Sequence, residues 1–207
     1  GIGSNLEECI LKSVRSLETG VCHLHNHKFD GMSKMELFTY LSEFHADGIY
    51  AVTEALRIGA TVEELYEVTK ITPYFLESFK KIVEMEKKLA LRPGNVKNLH
   101  EAKRMGFSDK YIAKLWKKKE DWVCRVRKDN GIIPVFKMAD TFHTNAYIPY
   151  FYSSYTGENA SVLTDKKKVV VLGAGPIRIG QGVELDYDTV HAAMTIKNAG
   201  YEAIIIN

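Results

Sequence analysis

Cysteine is scarce in this sequence of 207 residues, which has only three. Cys9, Cys22 and Cys124 lie far apart and form neither a CxxC pair nor a disulfide spacing, a pattern that fits a reducing cytosol better than secretion. No apolar run approaches the roughly 20 residues of a membrane span, and the N-terminus lacks the basic start of a signal peptide. These absences predict a soluble, cytoplasmic protein with no membrane partner.

An excess of one charge sign is also missing, because the formal net charge is only +2 at pH 7. Domains that bind nucleic acid usually carry a clear basic excess. Bulk charge therefore gives no support to a nucleic-acid partner, and we expect none.

Strand signals are almost absent between about residues 33 and 130, where helix-capping patterns recur instead. Ser33 with Glu36 and Thr61 with Glu64 have the spacing of a capping box, in which each side chain bonds the other residue's backbone N–H. Together with the helical spacing of the apolar residues, these patterns predict short helices joined by tight turns.

The character of the sequence changes at Gly131, after which prolines and tyrosines become frequent. Pro134 and Pro149 argue against a continuous helix or a central strand. We therefore predict an extended connector and linker over residues 131–166. Its aromatic side chains are expected to pack across a neighbouring domain: Tyr147, Tyr150, Phe151, Tyr152 and Tyr155.

Residues 167–207 show the pattern strand, glycine-rich turn, helix, strand. The helix is predicted from about Asp188 to Ala199, and the second strand over 203–206. A unit of this size implies parallel strands with a right-handed crossover. Because two strands do not make a stable sheet alone, we expect the start of an α/β domain that the chain does not finish.

The glycine turn is a poor match to a dinucleotide-binding fingerprint. Gly173 and Gly175 fit the first two positions of G-x-G-x-x-G, but Arg178 stands at the third. Pro176 removes a backbone N–H that a pyrophosphate would need, and the following strand ends at Asn207 instead of an acidic residue. No Gly-Lys-Ser/Thr follows, so a P-loop is excluded as well.

Two further glycines make the turn unusually bare. Gly180 and Gly182 stand beside the polar side chains of Gln181, Glu184 and Asp186. A tight turn alone does not need so many glycines, so we expect another group to pass close to this backbone.

The segment GAGPIRIGQGVELDY resembles the beginning of the second half of the large subunit of carbamoyl-phosphate synthetase. Every fixed position of that family's pattern is matched except one, where Leu185 stands for the usual Phe. GFSDKYIAKLW resembles the family's GFSD segment, and residues 47–89 resemble its helical oligomerisation domain. RKDNGIIPVFKMADT and PYFYSSY resemble its connector, which departs from the family at residues 142–145.

The resemblance implies a mainly α fold, in which a helical oligomerisation domain precedes a truncated, parallel β-α-β unit. In chain order the implied parts are the terminal helix of an upstream ATP-grasp domain at 1–20, the oligomerisation domain at 21–130, the connector and linker at 131–166, and the start of a pre-ATP-grasp domain at 167–207.

The same resemblance implies a glutamine-hydrolysing, ATP-dependent ligase that serves arginine or pyrimidine biosynthesis. Its two ATP-grasp domains would use ATP with Mg or Mn, and this chain would hold no catalytic residue, metal or cofactor of its own. The chain would link the carboxyphosphate and carbamoyl-phosphate halves. Its implied partners are the rest of the large subunit, a glutaminase small subunit and a second copy bound through the helical domain.

Carbamate is unstable in water, and the resemblance implies that it travels inside the protein along the glycine turn. The residues implied to line this path are Gly180, Gln181, Gly182 and Glu184. The residues implied to shape the turn are Gly173, Gly175, Pro176, Arg178 and Asp186.

Two alternatives stay open. His23, His25 and His27 alternate, and an HxHxH segment can chelate a metal. Because no carboxylate or cysteine follows at a fixed offset, we interpret the segment as a solvated surface loop without a metal. The second alternative is a free-standing helical interaction module, one that binds nucleic acid, with a vestigial α/β tail.

Overall fold

The computed structural model describes residues 1–140, 146–173, 175 and 184–206. The described chain is mainly helical, which confirms the predicted fold class. Its helices are α1 (Leu6–Ser16), α2 (Lys34–Leu41), α3 (Gly48–Arg57), α4 (Val62–Thr69), α5 (Pro73–Leu91), α6 (Val96–Arg104), α7 (Asp109–Trp116), α8 (Glu120–Asp129) and α9 (Glu184–Asn198). Its strands are β1 (Val135–Met138), β2 (Phe151–Ser154), β3 (Lys168–Leu172) and β4 (Glu202–Ile206).

The chain divides into two compact units, Gly1–Ser161 and Val162–Asn207. We call the first the helical unit and the second the βαβ unit. None of the helices in the described part of the chain combines the length and apolar character that a membrane span needs.

Helix α5 is the centre of the helical unit, because α1, α3, α4, α6 and α7 all pack against it. Its inward face carries apolar side chains at helical spacing, and Leu76, Ile82 and Leu89 are fully buried. Proline stands at the first position of α5, where its missing N–H leaves no hydrogen bond unmade. The core of the unit is therefore built around one long amphipathic helix.

Both predicted capping boxes are confirmed. In α2 the Ser33 hydroxyl accepts from the Glu36 N–H at 3.3 Å, and the Glu36 carboxylate accepts from the Ser33 N–H at 2.8 Å. Thr61 and Glu64 make the same reciprocal pair at the start of α4, at 3.2 and 2.9 Å.

The connector after α8 contains more structure than we predicted. Val135 pairs with Ser154 and Met138 with Phe151, so β1 and β2 form a two-stranded antiparallel ladder. Pro134 and Pro149 lie just outside these strands, where a missing N–H breaks no ladder bond. The predicted extended conformation is confirmed for β1 and β2, and the strand pairing is an addition to it.

The βαβ unit has the predicted order and direction. Strands β3 and β4 are parallel, with Lys168 opposite Glu202 and Leu172 opposite Ile206, and α9 packs on both strands. Helix α9 begins at Glu184, earlier than the predicted start at Asp188. Acidic side chains in a first turn are favourable next to the positive end of the helix dipole, so the acidic cluster belongs to the helix.

Candidate functional site

The described part of the glycine turn closes the end of the strand pair. The Gly173 N–H donates to the Ile206 carbonyl at 2.7 Å, and Gly175 has a φ of +80°, a left-handed conformation that favours glycine. Glu184 and Asp186 follow as exposed residues in the first turn of α9. The remaining predicted residues of the turn, Pro176, Arg178, Gly180, Gln181 and Gly182, lie outside the described residues, so their role stays a prediction.

The GFSD segment has a structural reason for each of its four residues. Gly106 has a φ of +86°, and a Cβ there would lie 2.9 Å from the Glu8 Cα of α1. Phe107 is buried in the core, and the Ser108 hydroxyl caps α7 by accepting from the Tyr111 N–H at 3.1 Å. The fourth residue, Asp109, is the centre of an ion-pair network.

The Asp109 network joins α6, α7 and α8. The Lys103 ammonium lies 2.7 Å from Asp109 Oδ1, and Arg127 Nε lies 3.0 Å from Asp109 Oδ2. Burial raises the pKa of Asp109, but the two cations outweigh burial and hold that pKa below its ordinary value. Lys103 also donates to the Phe107 carbonyl at 2.7 Å, and Arg127 to the Ile132 carbonyl at 2.9 Å. The network therefore locks three helices and the start of the connector together.

The connector's tyrosines divide into two groups. The Tyr155 ring packs under both cations of the Asp109 network, 4.8 Å from Lys103 Nζ and 5.5 Å from Arg127 Cζ. Tyr147 and Tyr150 remain exposed. The expected packing of the tyrosines on neighbouring structure is therefore seen for Tyr155 and for Tyr152, whose ring lies 5.2 Å from the ammonium of an α1 lysine, both on helices of their own unit. It is not seen for Tyr147 or Tyr150.

A second buried network is centred on Glu86 of α5. Arg57 of α3 donates to both carboxylate oxygens, from Nε at 2.8 Å and from Nη2 at 2.9 Å. His23 Nε2 reaches the same carboxylate at 2.9 Å. Burial raises the pKa of Glu86, but the hydrogen bonds from Arg57 and His23 outweigh burial and hold it below its ordinary value. Arg57 also donates to the Leu24 carbonyl, so the network fixes the loop before α2.

His23 corrects one of our predictions, because it is buried and not part of a solvated surface. Its ring stacks on Tyr111 at a centroid distance of 3.7 Å and contacts Phe107 at 4.7 Å. Burial is the largest effect on its pKa and lowers it, despite the hydrogen bond to Glu86. Its Nδ1 is buried without a hydrogen-bond partner among the described residues. A neutral imidazole with the proton on Nε2 fits this environment, because a second N–H would find no acceptor.

Sequence reasoning missed both networks, although one signal was available. Glu86 occupies the same face of α5 as Ile82 and Leu89, four residues after the first and three before the second. A carboxylate on an apolar helix face is expected to be paired when buried. Its partners lie 29 and 63 residues away along the chain, and no local pattern identifies which arginine or histidine they are.

An exposed group of aromatic side chains lies where α4 ends and α5 begins. Tyr66 stands in α4, and Tyr74 and Phe75 stand in the first turn of α5, with their ring centroids 5.6 Å apart. All three are exposed. We call this group the aromatic corner. Exposed aromatic side chains placed together are typical of protein–protein contact surfaces.

Comparison with known families assigns both units. The helical unit belongs to a class of oligomerisation domains, since residues 1–131 match the family model described as the oligomerisation domain of the carbamoyl-phosphate synthetase large chain. Residues 165–207 match the family model of the carbamoyl phosphate synthase preATP-grasp domain. Because the first match alone covers more than half of the 207 residues, the chain belongs to the carbamoyl-phosphate synthetase large-chain family, a family of ligases. The family resemblance inferred from the glycine turn is thereby confirmed.

Proposed function

We propose that this chain is the part of a glutamine-dependent carbamoyl-phosphate synthetase that joins the two halves of the large chain. The observation that carries the proposal is the order of the two family matches, with the oligomerisation domain at 1–131 and the preATP-grasp domain at 165–207 of one chain. A domain that ends one half and a domain that begins the other meet here within a single polypeptide.

The helical unit is suited to such a joining role because its connector is tied to the helices. Ser154 of β2 donates to the buried carboxylate of Glu8 in α1 at 3.1 Å. Tyr155 packs on Lys103 and Arg127, as described above. These contacts fix the direction in which the chain leaves the helices, which is what a link between two catalytic halves requires.

Catalysis is proposed to depend on groups outside this chain. In both buried networks the charged side chains are paired with one another, and their burial separates them from substrate. We infer that ATP with Mg or Mn binds in ATP-grasp domains and that a glutaminase small subunit supplies ammonia in the cytoplasm. The chain alone is then expected to form no carbamoyl phosphate from ATP, bicarbonate and ammonia.

The aromatic corner is proposed to be the self-association surface, with a second copy of the chain as its occupant. The family description of this unit as an oligomerisation domain supports that choice of occupant. Light scattering after size exclusion is expected to show a species above the single-chain mass of 23.4 kDa that grows with concentration. The double variant Tyr74→Ser/Phe75→Ser is expected to remain at the single-chain mass.

Leu91→Ser is the matched control, because Leu91 is an exposed apolar residue at the other end of the same helix. It is expected to associate like the unchanged chain. The aromatic corner is not the self-association surface if the unchanged chain is monomeric at every concentration. The same conclusion follows if the double variant associates normally.

The role of the glycine turn is tested in the complete enzyme. Gly182→Leu places a bulky side chain where carbamate is proposed to pass, so bicarbonate-dependent ATP hydrolysis should continue while carbamoyl phosphate formation falls. Unchanged coupling between the two rates would contradict a carbamate path at this residue.

A further inference from the structure

The loop before α2 holds a second histidine cluster that the buried networks do not use. His25 Nε2 lies 2.9 Å from Asp30 Oδ1, and His27 Nδ1 lies 2.7 Å from Asp30 Oδ2. One ligand atom from each of the three residues lies within 4.8 Å of the other two. We call residues 25–30 the histidine turn. Asp30, three residues after His27, therefore supplies the carboxylate that the HxHxH segment itself lacks.

The histidine turn is held at both ends by buried residues. Leu24 and Phe29 are in the core, and Thr53 Oγ1 donates to the Leu24 carbonyl at 3.0 Å. Within the turn, the Asp30 N–H donates to the His27 carbonyl at 3.2 Å. The backbone of the turn is thus anchored on the core, unlike that of the solvated surface loop that we expected. A held backbone lowers the entropy lost when three side chains converge on one ligand.

The three ligating groups face solvent while their backbone is anchored. The side chains of His27 and Asp30 are 80% and 45% exposed, and that of His25 is 20% exposed. The Lys28 ammonium lies between them in sequence, but it is paired with Asp47 at 2.7 Å and so does not neutralise Asp30. An ion can therefore enter from solvent and meet two imidazoles and a carboxylate.

We propose that the histidine turn is a zinc site formed by His25, His27 and Asp30, with water as the fourth ligand. Tetrahedral zinc with bonds of about 2.0–2.2 Å places its ligand atoms about 3.3 Å apart. The two imidazole–carboxylate distances of 2.9 and 2.7 Å need to open by about 0.4 and 0.6 Å to reach that spacing, and the imidazole–imidazole separation, which is within 4.8 Å, needs to adjust by a rotation of the exposed His27 ring. Two imidazoles favour zinc over magnesium or calcium, which prefer ligand sets made of oxygen.

The protons at the site balance without any further reactant. Before the ion binds, each imidazole donates a ring N–H to the Asp30 carboxylate. For zinc to bind at those nitrogens, each neutral ring moves its proton to its other nitrogen and presents a lone pair. The carboxylate then ligates the ion instead of accepting two hydrogen bonds. Bound zinc would clamp the loop between α1 and α2, and it would raise the thermal midpoint of the helical unit as its concentration rises.

The experiment titrates the untagged chain with zinc in competition with a chromophoric chelator and repeats the titration with cobalt. We expect one ion per chain and a tetrahedral cobalt spectrum without a thiolate charge-transfer band. His27→Gln and Asp30→Asn are expected to weaken binding by about tenfold or more. Both positions are exposed enough for the substitutions to leave the fold intact. His100→Gln, which changes an exposed histidine of α6, is the control and should bind like the unchanged chain.

Three results would overturn the proposal. Absence of binding in the unchanged chain would show a hydrogen-bonded turn only. Equal zinc affinity of the unchanged chain and His27→Gln would show that the ion binds at other residues. A thiolate charge-transfer band with cobalt would show that a cysteine ligates the ion. None of these results bears on the proposed joining function, because that function does not depend on zinc.

Discussion

The two units of this chain match the same family yet differ in how much of their apolar surface they bury. The helical unit encloses a continuous core around α5 and two buried ion-pair networks. In the described part of the βαβ unit, Ala193 is the single buried residue, and Leu172 is 78% exposed. Both faces of its strand pair leave aliphatic side chains in contact with solvent, Val170 and Ile204 on one face and Val169 and Ile205 on the other.

This contrast shows that a unit can match a family without being stable on its own. A family match reports that a segment has the right residues in the right order, and both units pass that test. Independent stability requires enough buried apolar area to offset the conformational entropy of the ordered chain. A two-stranded parallel sheet with one helix buries too little, so the βαβ unit is expected to owe its stability to surfaces beyond its own. The helical unit, with its continuous core, is expected to meet the requirement alone.

Hydrogen exchange should show the largest difference between the units. Amides of α5 are expected to exchange only through global unfolding of the helical unit, whereas those of β3 and β4 open locally. We expect β3 and β4 to exchange at least about a thousandfold faster than the centre of α5, a difference of about 4 kcal/mol in opening free energy. Mass spectrometry of peptides that cover 76–89 and 168–172 measures this directly.

The control repeats the exchange at two protein concentrations. If protection of β3 and β4 rises with concentration, a second copy covers their apolar faces. The difference in protection between the two units would then hold only for the monomeric chain. Equal protection of α5 and β3 at low concentration would break the comparison.

Loss of the Glu86 charge is the next largest expected effect, and it should be confined to the helical unit. Glu86→Gln removes the two-oxygen partner of Arg57, whose side chain is only 15% exposed, and leaves it a single ion pair, with Glu54 at 3.0 Å. Removing one partner of a buried pair costs about 3–5 kcal/mol, and the remaining Glu54 contact puts the expected loss at about 3 kcal/mol. Denaturant unfolding followed by tryptophan fluorescence reports on this unit, because both tryptophans, Trp116 and Trp122, belong to it.

Glu77→Gln is the matched control on the same helix, since Glu77 makes a long, exposed pair with Lys80 at 3.8 Å. It should leave the unfolding midpoint unchanged, as should Glu202→Gln in the βαβ unit. A loss below about 1 kcal/mol for Glu86→Gln would show that the buried network contributes no more than a surface pair.

Interactions between groups close together along the chain were the easiest to predict from the sequence. The capping boxes join residues three apart, and the pattern alone was sufficient to place α2 and α4. The β-α-β order followed from similarly local patterns of valine, glycine and isoleucine. Helix α6 lies within the stretch predicted to consist of short helices but was not placed individually, although Asn95 caps it by accepting from the Asn98 N–H at 2.9 Å and Leu99 and Ala102 form its buried face.

Several contacts that could not be predicted cross long stretches of chain, whereas those of the histidine turn with Asp30 are local. His23 meets Glu86, and Tyr155 meets Lys103, only because helix packing brings them together. Three alternating histidines looked alike in the sequence, but packing buries the first and leaves the other two on Asp30. Burial, and with it the protonation state of a histidine, is a property of the packed structure and not of the local sequence.

The smallest effect is expected from pH, and it sharpens the comparison because its source lies in one unit. The pKa of His23 is lowered in the folded state from an unfolded value near 6.5, so the unfolded chain takes up a proton first as the pH falls. His23 therefore contributes stability that is complete above pH 6.5 and is lost as the pH falls through the folded pKa. Below about pH 6.5, and until the pH passes the folded pKa, the free energy of unfolding should fall by up to ~1.4 kcal/mol per pH unit.

His23→Gln should flatten this slope, and His100→Gln should retain it. The carboxylates of Glu86 and Asp109 do not contribute in this range, because their pKa values are lowered from values already below 5. Tryptophan fluorescence should show the full slope, since it observes the helical unit. An equal slope in His23→Gln would show that other groups cause the pH dependence. His23 would then make no measurable contribution to the difference in stability between the two units.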